Sequence, residues 1–265
     1  MNFWRVSRYA LSLALWSHAA SARAAESPTL SRAWAPANSA LTVPARRLEL
    51  ALFSGSRYGL ARALELSSAP LLFFVLPQAE LKWRFQELGS FAFALRARVS
   101  YPTPFLRTFS RAGAFGLLPA TTDPPQAIEL ESDALASWSW SEEQVTSLWL
   151  GLAVALHESS EDLPLLDFPF LYPRFAPLYA PAVPRAGISA DGRLIGPLFY
   201  GVDLRVFVLP LEQVEGAFAL EQGLRSELRL NDHLAFDLAL RTSYARYPIG
   251  LRVHFLPYAD VKVGW

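Results

Sequence analysis

The stretch FAFALRARVSY, Phe91 to Tyr101, alternates without a break. Phe91, Phe93, Leu95, Ala97, Val99 and Tyr101 fall on one face, and Ala92, Ala94, Arg96, Arg98 and Ser100 on the other. A period of two is the strand signature, because successive side chains of an extended chain point to opposite sides of its sheet. One face is aliphatic and aromatic, and the other carries two arginines. Such a strand belongs at a boundary between an apolar medium and a charged one.

The same division recurs along the chain. In RRLELALF, Leu48, Leu50 and Leu52 oppose Arg47, Glu49 and Ala51. In AELKWRFQ, Leu81, Trp83 and Phe85 oppose Lys82 and Arg84. Val202, Leu204, Val206 and Val208 oppose Asp203 and Arg205. Phe218, Leu220, Leu224, Leu228 and Leu230 oppose Glu221, Arg225, Glu227 and Arg229. Leu234, Phe236, Leu238 and Leu240 oppose Asp237, Arg241 and Ser243. Several runs exceed ten residues, against the ~5–6 of ordinary globular strands, and a tilted membrane strand needs ~9–11. A soluble β-sandwich would also alternate, with its apolar face inward. Two features favour a barrel in a membrane. Charges of both signs stand at strand centres, as in a packed polar lumen. Tyr101, Trp138, Trp140 and Tyr244 stand near strand ends, as in interfacial girdles.

The bulk numbers narrow the choice further. The 265 residues are 52% hydrophobic, 13% aromatic and 18% charged, which excludes a disordered chain. Lys+Arg and Asp+Glu are 24 each, so no global basic field exists to attract nucleic acid. The absence of cysteine excludes disulfides, thiolate metal sites and a cysteine nucleophile. Arg5 and Arg8, the apolar YALSLALW and the small-residue run ASARA read as an export signal cleaved near Ala24. The competing reading, an N-terminal anchor, needs an apolar run long enough to cross ~30 Å of hydrocarbon, and this one is too short. No later stretch offers ~20 uninterrupted apolar residues for a membrane helix.

The C-terminal stretch YADVKVGW, Tyr258 to Trp265, places Ala259, Val261, Val263 and Trp265 on one face. A final strand with a terminal aromatic, and apolar residues two, four and six places before it, resembles the C-terminal signal of Gram-negative outer-membrane β-barrel proteins. In that class the terminal residue is most often Phe, and Trp265 keeps the aromatic character while departing from the type. The resemblance covers roughly residues 45–265. It implies outer-membrane localisation and recognition of Tyr258, Val261, Val263 and Trp265 by the barrel insertion machinery, and it carries no catalytic residues.

The expected fold is all-β: a closed antiparallel up-and-down transmembrane barrel of about ten strands, with twelve or eight as alternatives. Residues 1–24 form the leader, 25–45 an N-terminal extension and 46–265 the barrel. Strands are expected near 46–54, 58–67, 79–87, 90–101, 126–139, 143–157, 196–208, 214–230, 233–247 and 252–265, with a tight turn at Asn231-Asp232. With ten strands and both termini on the periplasmic side, the long connections 102–125 and 158–195 fall on that side too. Barrels of this class usually have short periplasmic turns, so either this protein inverts that habit or a strand is missed or invented in the first three quarters of the chain. A strand within 163–183 is one candidate.

The inward positions hold Arg47, Glu49, Lys82, Arg84, Arg96, Arg98, Glu129, Glu131, Asp133, Asp203, Arg205, Glu221, Arg225, Glu227, Arg229, Asp237, Arg241, Asp260 and Lys262. An unpaired buried charge costs several kcal/mol, so these are expected to pair across the lumen and plug it, with a narrow polar path as the other reading. Candidate chemistry is sparse. His157 and Ser159, with Glu161, Asp162 and Asp167 downstream, offer a His and a hydroxyl near carboxylates, as nucleophilic hydrolysis requires. The His-x-Ser spacing resembles that of outer-membrane lipid A deacylases, in a much longer chain. The bland reading is a solvated acidic turn, and no enzyme activity is expected. The carboxylates around His157 lack the spacing of a metal-ligand set, and no cofactor is implied. The connection 158–195 is rich in Pro and aromatics and too apolar for a solvated tail, so it covers a barrel end, enters the lumen, or contacts lipid or a protein partner. In Pro102–Pro119, Phe105, Leu106 and Phe109 share one side of a helical turn, with Arg107 and Arg111 opposite. The expected function is a structural or interaction barrel, monomeric, in contact with outer-membrane lipid and lipopolysaccharide. A narrow pore for a small or amphipathic solute is the first alternative, and a lipid-directed hydrolase the second.

Overall fold

The computed structural model describes residues 33–74, 76–110, 123–157, 165–166, 169–211, 216–247 and 250–265. The expected leader lies outside them. Twelve antiparallel strands close into one barrel. They are β1 (Leu48–Ala51), β2 (Ser56–Ala61), β3 (Leu64–Ser68), β4 (Gln78–Leu88), β5 (Phe91–Ser100) and β6 (Ala127–Ser139). The ring continues through β7 (Gln144–His157), β8 (Val183–Ile195), β9 (Leu198–Leu209), β10 (Ala217–Arg229), β11 (Leu234–Tyr247) and β12 (Gly250–Gly264). Each strand pairs with its sequence neighbours, and β1 meets β12 to seal the ring.

The count is twelve, not ten, and two misreadings account for the difference. Residues 58–67 are not one strand. They fold back at Arg62-Ala63, so that Ala61 faces Leu64 across a hairpin. Alternation runs straight through this turn, and neither residue is the Gly, Asn or Asp that two-residue hairpins favour. The second omission is β8, which begins at Val183 and occupies the end of the supposed 158–195 connection. Pro184 at its second residue hid it, since proline inside a run argues against a central strand. Here Pro184 sits at the strand start, opposite Leu152.

The extra hairpin also removes the difficulty over loop lengths. With three strands before β4, the connections 101–126 and 158–182 both move to the end opposite the chain termini. The turns 62–63, 89–90, 140–143, 196–197 and 230–233 share the end with the termini. That turn end holds the expected Asn231 turn, where the side-chain oxygen of Asn231 accepts from the N–H groups of His233 and Leu234 at 2.8 and 2.9 Å.

The wall divides as the alternation requires. Leu81, Leu95, Val99, Leu130, Leu148, Leu150, Leu204, Leu224, Phe236, Leu238 and Val261 are exposed, while Lys82, Arg96, Glu131, Asp133, Glu221, Glu227 and Asp237 are buried. At the turn end Phe91 stacks on Trp138, and Trp138 on Trp140, with ring centroids 5.7 and 3.7 Å apart. Among the described residues, three short helical segments decorate the loop end: α1 (Pro70–Phe73), α2 (Thr103–Phe109) and α3 (Tyr172–Phe175), the last followed by a 3₁₀ turn, Ala176–Leu178. The expected helical turn near Phe105 is α2. Leu106 is fully buried, Phe105 stacks on Phe175 at 5.2 Å and Arg107 is exposed, while Arg111 lies outside the described residues.

Inside the wall, Trp149 lies across Gly187 of the neighbouring strand, and a Cβ there would stand 2.5 Å from the indole. Gly187→Ala is expected to destabilise the barrel by about 1–3 kcal/mol through overpacking. The temperature at which the folded form disappears on an unboiled gel should fall, and an unchanged temperature would show that the indole moves aside at no cost.

Candidate functional site

The site is the lumen. Three things fill it: the inward side chains, a segment of the chain entering from the turn end, and a loop entering from the loop end.

The charges pair around shared carboxylates. Asp133 on β6 takes Arg96 of β5 at 2.7 Å and Arg185 of β8 at 2.9 Å. Glu131 takes Arg185 at 2.6 Å and Arg98 at 3.2 Å, and Arg98 also reaches Glu80 at 2.6 Å. Across the barrel Glu227 gathers Lys262 at 2.6 Å, Arg225 at 3.6 Å and Arg229. Lys262 also holds Asp237 at 2.5 Å, and Arg225 holds Asp191 at 2.8 Å. Arg205 pairs with Asp203 at 2.8 Å, and Arg84 with Glu87 at 2.8 Å. Arg241 stands 4.0 Å from both Asp203 and Glu221. Glu129 has no cation partner among the described residues and accepts from Ser100 Oγ at 3.2 Å.

Sequence reading missed seven members of this network. Arg57 and Glu65 lie on the misread hairpin, Arg185 and Asp191 on the overlooked β8, Glu80 and Glu87 on β4, and Arg174 on a loop. For β8 a signal existed: Arg185, Ser189 and Asp191 alternate with Ala186, Ile188 and Ala190.

Within the extension expected at 25–45, residues 34–43 thread the turn-end half of the lumen. Trp34, Ala35, Ser39, Ala40, Leu41, Thr42 and Val43 are all buried. Barrel side chains hold the segment largely by its backbone. Glu49 accepts from Trp34 N at 2.9 Å, Ser137 Oγ from Ala40 N at 2.7 Å and Glu65 from Val43 N at 2.9 Å. Lys82 Nζ donates to the carbonyls of Ala37 and Ser39 at 3.4 Å, and Arg229 to that of Trp34 at 3.2 Å. The same groups are ion-paired: Glu49 with Arg47 at 2.8 Å and with Arg57, and Lys82 with Glu65 at 3.2 Å. Trp34 is the side-chain anchor. Arg47 lies 4.9 Å over its ring, and its Nε1 donates to Asn231 O at 3.2 Å. Gly59 makes room, since a Cβ there would stand 2.0 Å from Pro44 O.

The loop-end half holds an apolar patch beside its charges Glu80, Arg98, Glu129 and Arg185. Ala153, Val183, Phe207, Leu209, Ala217, Ala219, Ala245 and Tyr247 line it, and Tyr172, Ala176 and Ala180 fill it. The connection expected to cover or enter a barrel end therefore enters. Arg174 pins it, donating to both oxygens of Glu221 at 2.6 and 2.7 Å. Burial opposes the Arg174 charge, but the facing Glu221 carboxylate prevails and raises the pKa of Arg174. Burial likewise raises the Tyr179 phenol above its ordinary value, and its oxygen accepts from Leu166 N at 3.2 Å.

Of the remaining candidates, only the histidines lie among the described residues. His157 stands exposed at the loop end of β7, and Ser159, Glu161, Asp162 and Asp167 lie outside the described residues. His233 Nδ1 meets Gly264 O at 2.7 Å within the turn. No group of three potential metal ligands occurs among the described residues. In the C-terminal signal, Val261, Val263 and Trp265 face outward, and Tyr258 faces the lumen side of β12.

A closed ring of strands that buries its charges and exposes its leucines is folded for lipid outside and for itself inside. The chain is an outer-membrane β-barrel, and the end carrying its short turns and both termini of the barrel is the periplasmic one. No protein-family model and no curated protein matches the sequence. Among solved structures, the outer-membrane expressed OmpT of Vibrio cholerae aligns over 80% of this chain and 64% of its own, at 9% identity and TM-score 0.42. A bacterial polysaccharide outer membrane secretin aligns over 83% and 69%, at 10% identity and TM-score 0.45. OprB of Pseudomonas putida aligns over 82% and 58%, at 9% identity and TM-score 0.37. This chain thus spans less than two thirds of the OmpT and OprB chains.

Glu227 neutralises three cations, so Glu227→Gln leaves Lys262, Arg225 and Arg229 sharing the remaining carboxylates. Loss of about 3–5 kcal/mol is expected, read as a lower urea midpoint for the barrel in lipid vesicles. A midpoint within error of the parent would show that Asp237 and Asp191 suffice.

Proposed function

We propose that the protein is a structural or interaction barrel of the outer membrane whose lumen is closed to solutes at rest. The observation that carries this reading is the double occlusion: residues 34–43 fill one half of the lumen and residues 172–180 the other. A side-chain network alone could leave a winding water path. Two backbone segments, one clamped by Glu49, Ser137 and Glu65 and the other by Glu221, leave little room for one. Much of the connection once expected to dock a partner is committed inward or to β8. A partner would meet what remains at the loop end, around α1 and α2.

Planar bilayers test the closed state. The parent protein is expected to show no steady conductance, and steady ion-selective steps would overturn the closed reading in favour of a pore. Removing residues 33–43 should produce conductance. Gly59→Ala should do so more mildly, by pushing Pro44 and the segment before it out of place without shortening the chain.

A further inference from the structure

The barrel wall has a notch. β1, β2 and β3 hold 4, 6 and 5 residues, while β12 holds 15. β1 pairs with β12 only at Glu49–Gly264, Leu50–Val263 and Ala51–Lys262, beyond the closing bonds of Leu48 with Trp265. Residues 250–261 of β12 climb on past that partner. At ~3.3 Å per residue and a tilt of ~40° they rise by roughly 25–30 Å. The β1–β2 turn therefore lies within the depth of the membrane.

Three details show that the edge is built to remain open. First, a turn inside hydrocarbon must satisfy its N–H groups internally. Asp260 does this, accepting from Leu52, Phe53 and Ser54 at 2.9, 3.1 and 2.7 Å, and from Val261 at 2.8 Å. Second, Gly264 N donates to His233 O and Trp265 N to Leu48 O, so odd-numbered residues of β12 turn their polar backbone groups toward the β1 side. Pro257 is one of these, and it has no N–H to leave unpaired there or to offer another strand. Third, the banks are apolar. Leu52, Phe53 and Phe255 are 51, 55 and 65% exposed, and Leu256, on the lumen side of β12, is 45% exposed.

Above the notch stand two arginines. Arg252 faces the lumen side and Arg246 pairs with Leu251 on the opposite face. Both are exposed. The lumen guanidiniums are ion-paired, whereas neither of these has a carboxylate within 4.0 Å among the described residues. Apolar banks at mid-membrane depth below two unpaired cations at the rim match an anionic amphiphile standing in the outer leaflet.

We propose that the notch is a lipid-binding site: the acyl chain of an anionic outer-leaflet lipid lies against Leu256, Leu52 and Phe53, and its phosphate meets Arg252 and Arg246. The site is open to the bilayer, so it stands whether or not the lumen conducts.

The cysteine-free chain makes a direct test simple. A thiol-reactive fluorophore is attached to the full-length protein at Leu256→Cys, and separately at Phe255→Cys as an outward control. Each is reconstituted in phosphatidylcholine vesicles containing acyl-brominated phosphatidylglycerol or, in parallel, acyl-brominated phosphatidylcholine. The fluorophore at 256 should be quenched by both lipids, with brominated phosphatidylglycerol effective at lower mole fraction. Arg246→Ala and Arg252→Ala should each reduce that preference by about fivefold. Quenching at 255 but not at 256 would show a closed wall and overturn the proposal. So would equal quenching by the two lipids, which would mean bulk lipid without a head-group site. If Leu256→Cys fails to give the heat-modifiable folded form, Tyr258→Cys reports from the same bank.

Discussion

A hydrocarbon solvent outside a closed sheet fixes nearly everything else in this molecule. Strand backbone crosses a bilayer cheaply only where its N–H and C=O groups find partners in the ring. Once the ring closes, alternation leaves no choice of side: the leucines meet lipid and the charges are forced together on the axis. Charges so confined must neutralise one another at short range, because water is scarce there and each unmatched ion is costly. Asp133, Glu131 and Glu227 are the nodes of that solution, each shared by two or more cations drawn from different strands. The network thus ties strands that are far apart in sequence, and it fixes the register of the wall as firmly as the backbone ladder does.

The two inserted segments use that network differently. The turn-end segment is small and proline-punctuated, and it offers the charged half of the lumen mainly its peptide groups. Glu49, Glu65 and Lys82 therefore serve two functions, pairing with other ions while holding backbone atoms. The loop-end segment is bulky and apolar, and it finds Phe207, Leu209 and Tyr247 where the inner wall has turned apolar. A single arginine, Arg174, crosses between the regimes to Glu221. The apolar patch at the loop end thus stands beside charges of its own, Glu80, Arg98, Glu129 and Arg185.

Period-two alternation made the fold class, the inward charges and the terminal strand legible in the sequence, because membrane strands must obey it over their whole length. It failed where the local chemistry gave no punctuation. Arg62-Ala63 turns a hairpin with residues suited to a strand, and the alternation of 58–67 passes through it undisturbed. β8 failed for the opposite reason, since prolines before and within it announced a loop. The destination of 34–43 was not legible, and that of 172–180 only as one of several possibilities. Nothing in Trp34 or Tyr172 distinguishes a residue that packs into a lumen from one that packs elsewhere. The pairings of Arg185 with Asp133 and of Lys262 with Glu227 depend on barrel size and stagger, which emerge only when the strand count is right.

The short joint between β1 and β12 has a consequence for how long the molecule lasts. A ring parts at its weakest links: the four neighbouring joints from β12–β1 through β3–β4 rest on two to five facing residues each, against ten or more elsewhere, and of the four only the β1–β12 seam has no connecting turn. The lifetime of the folded barrel is then governed by the rate at which one small seam opens, and much less by the total strength of the wall. Residues 34–43 lie directly behind that seam, bonded to Glu49 on one side of it and to Arg229 beyond the other. The segment that blocks the lumen therefore also acts as a clasp, slowing the first step of disassembly from within.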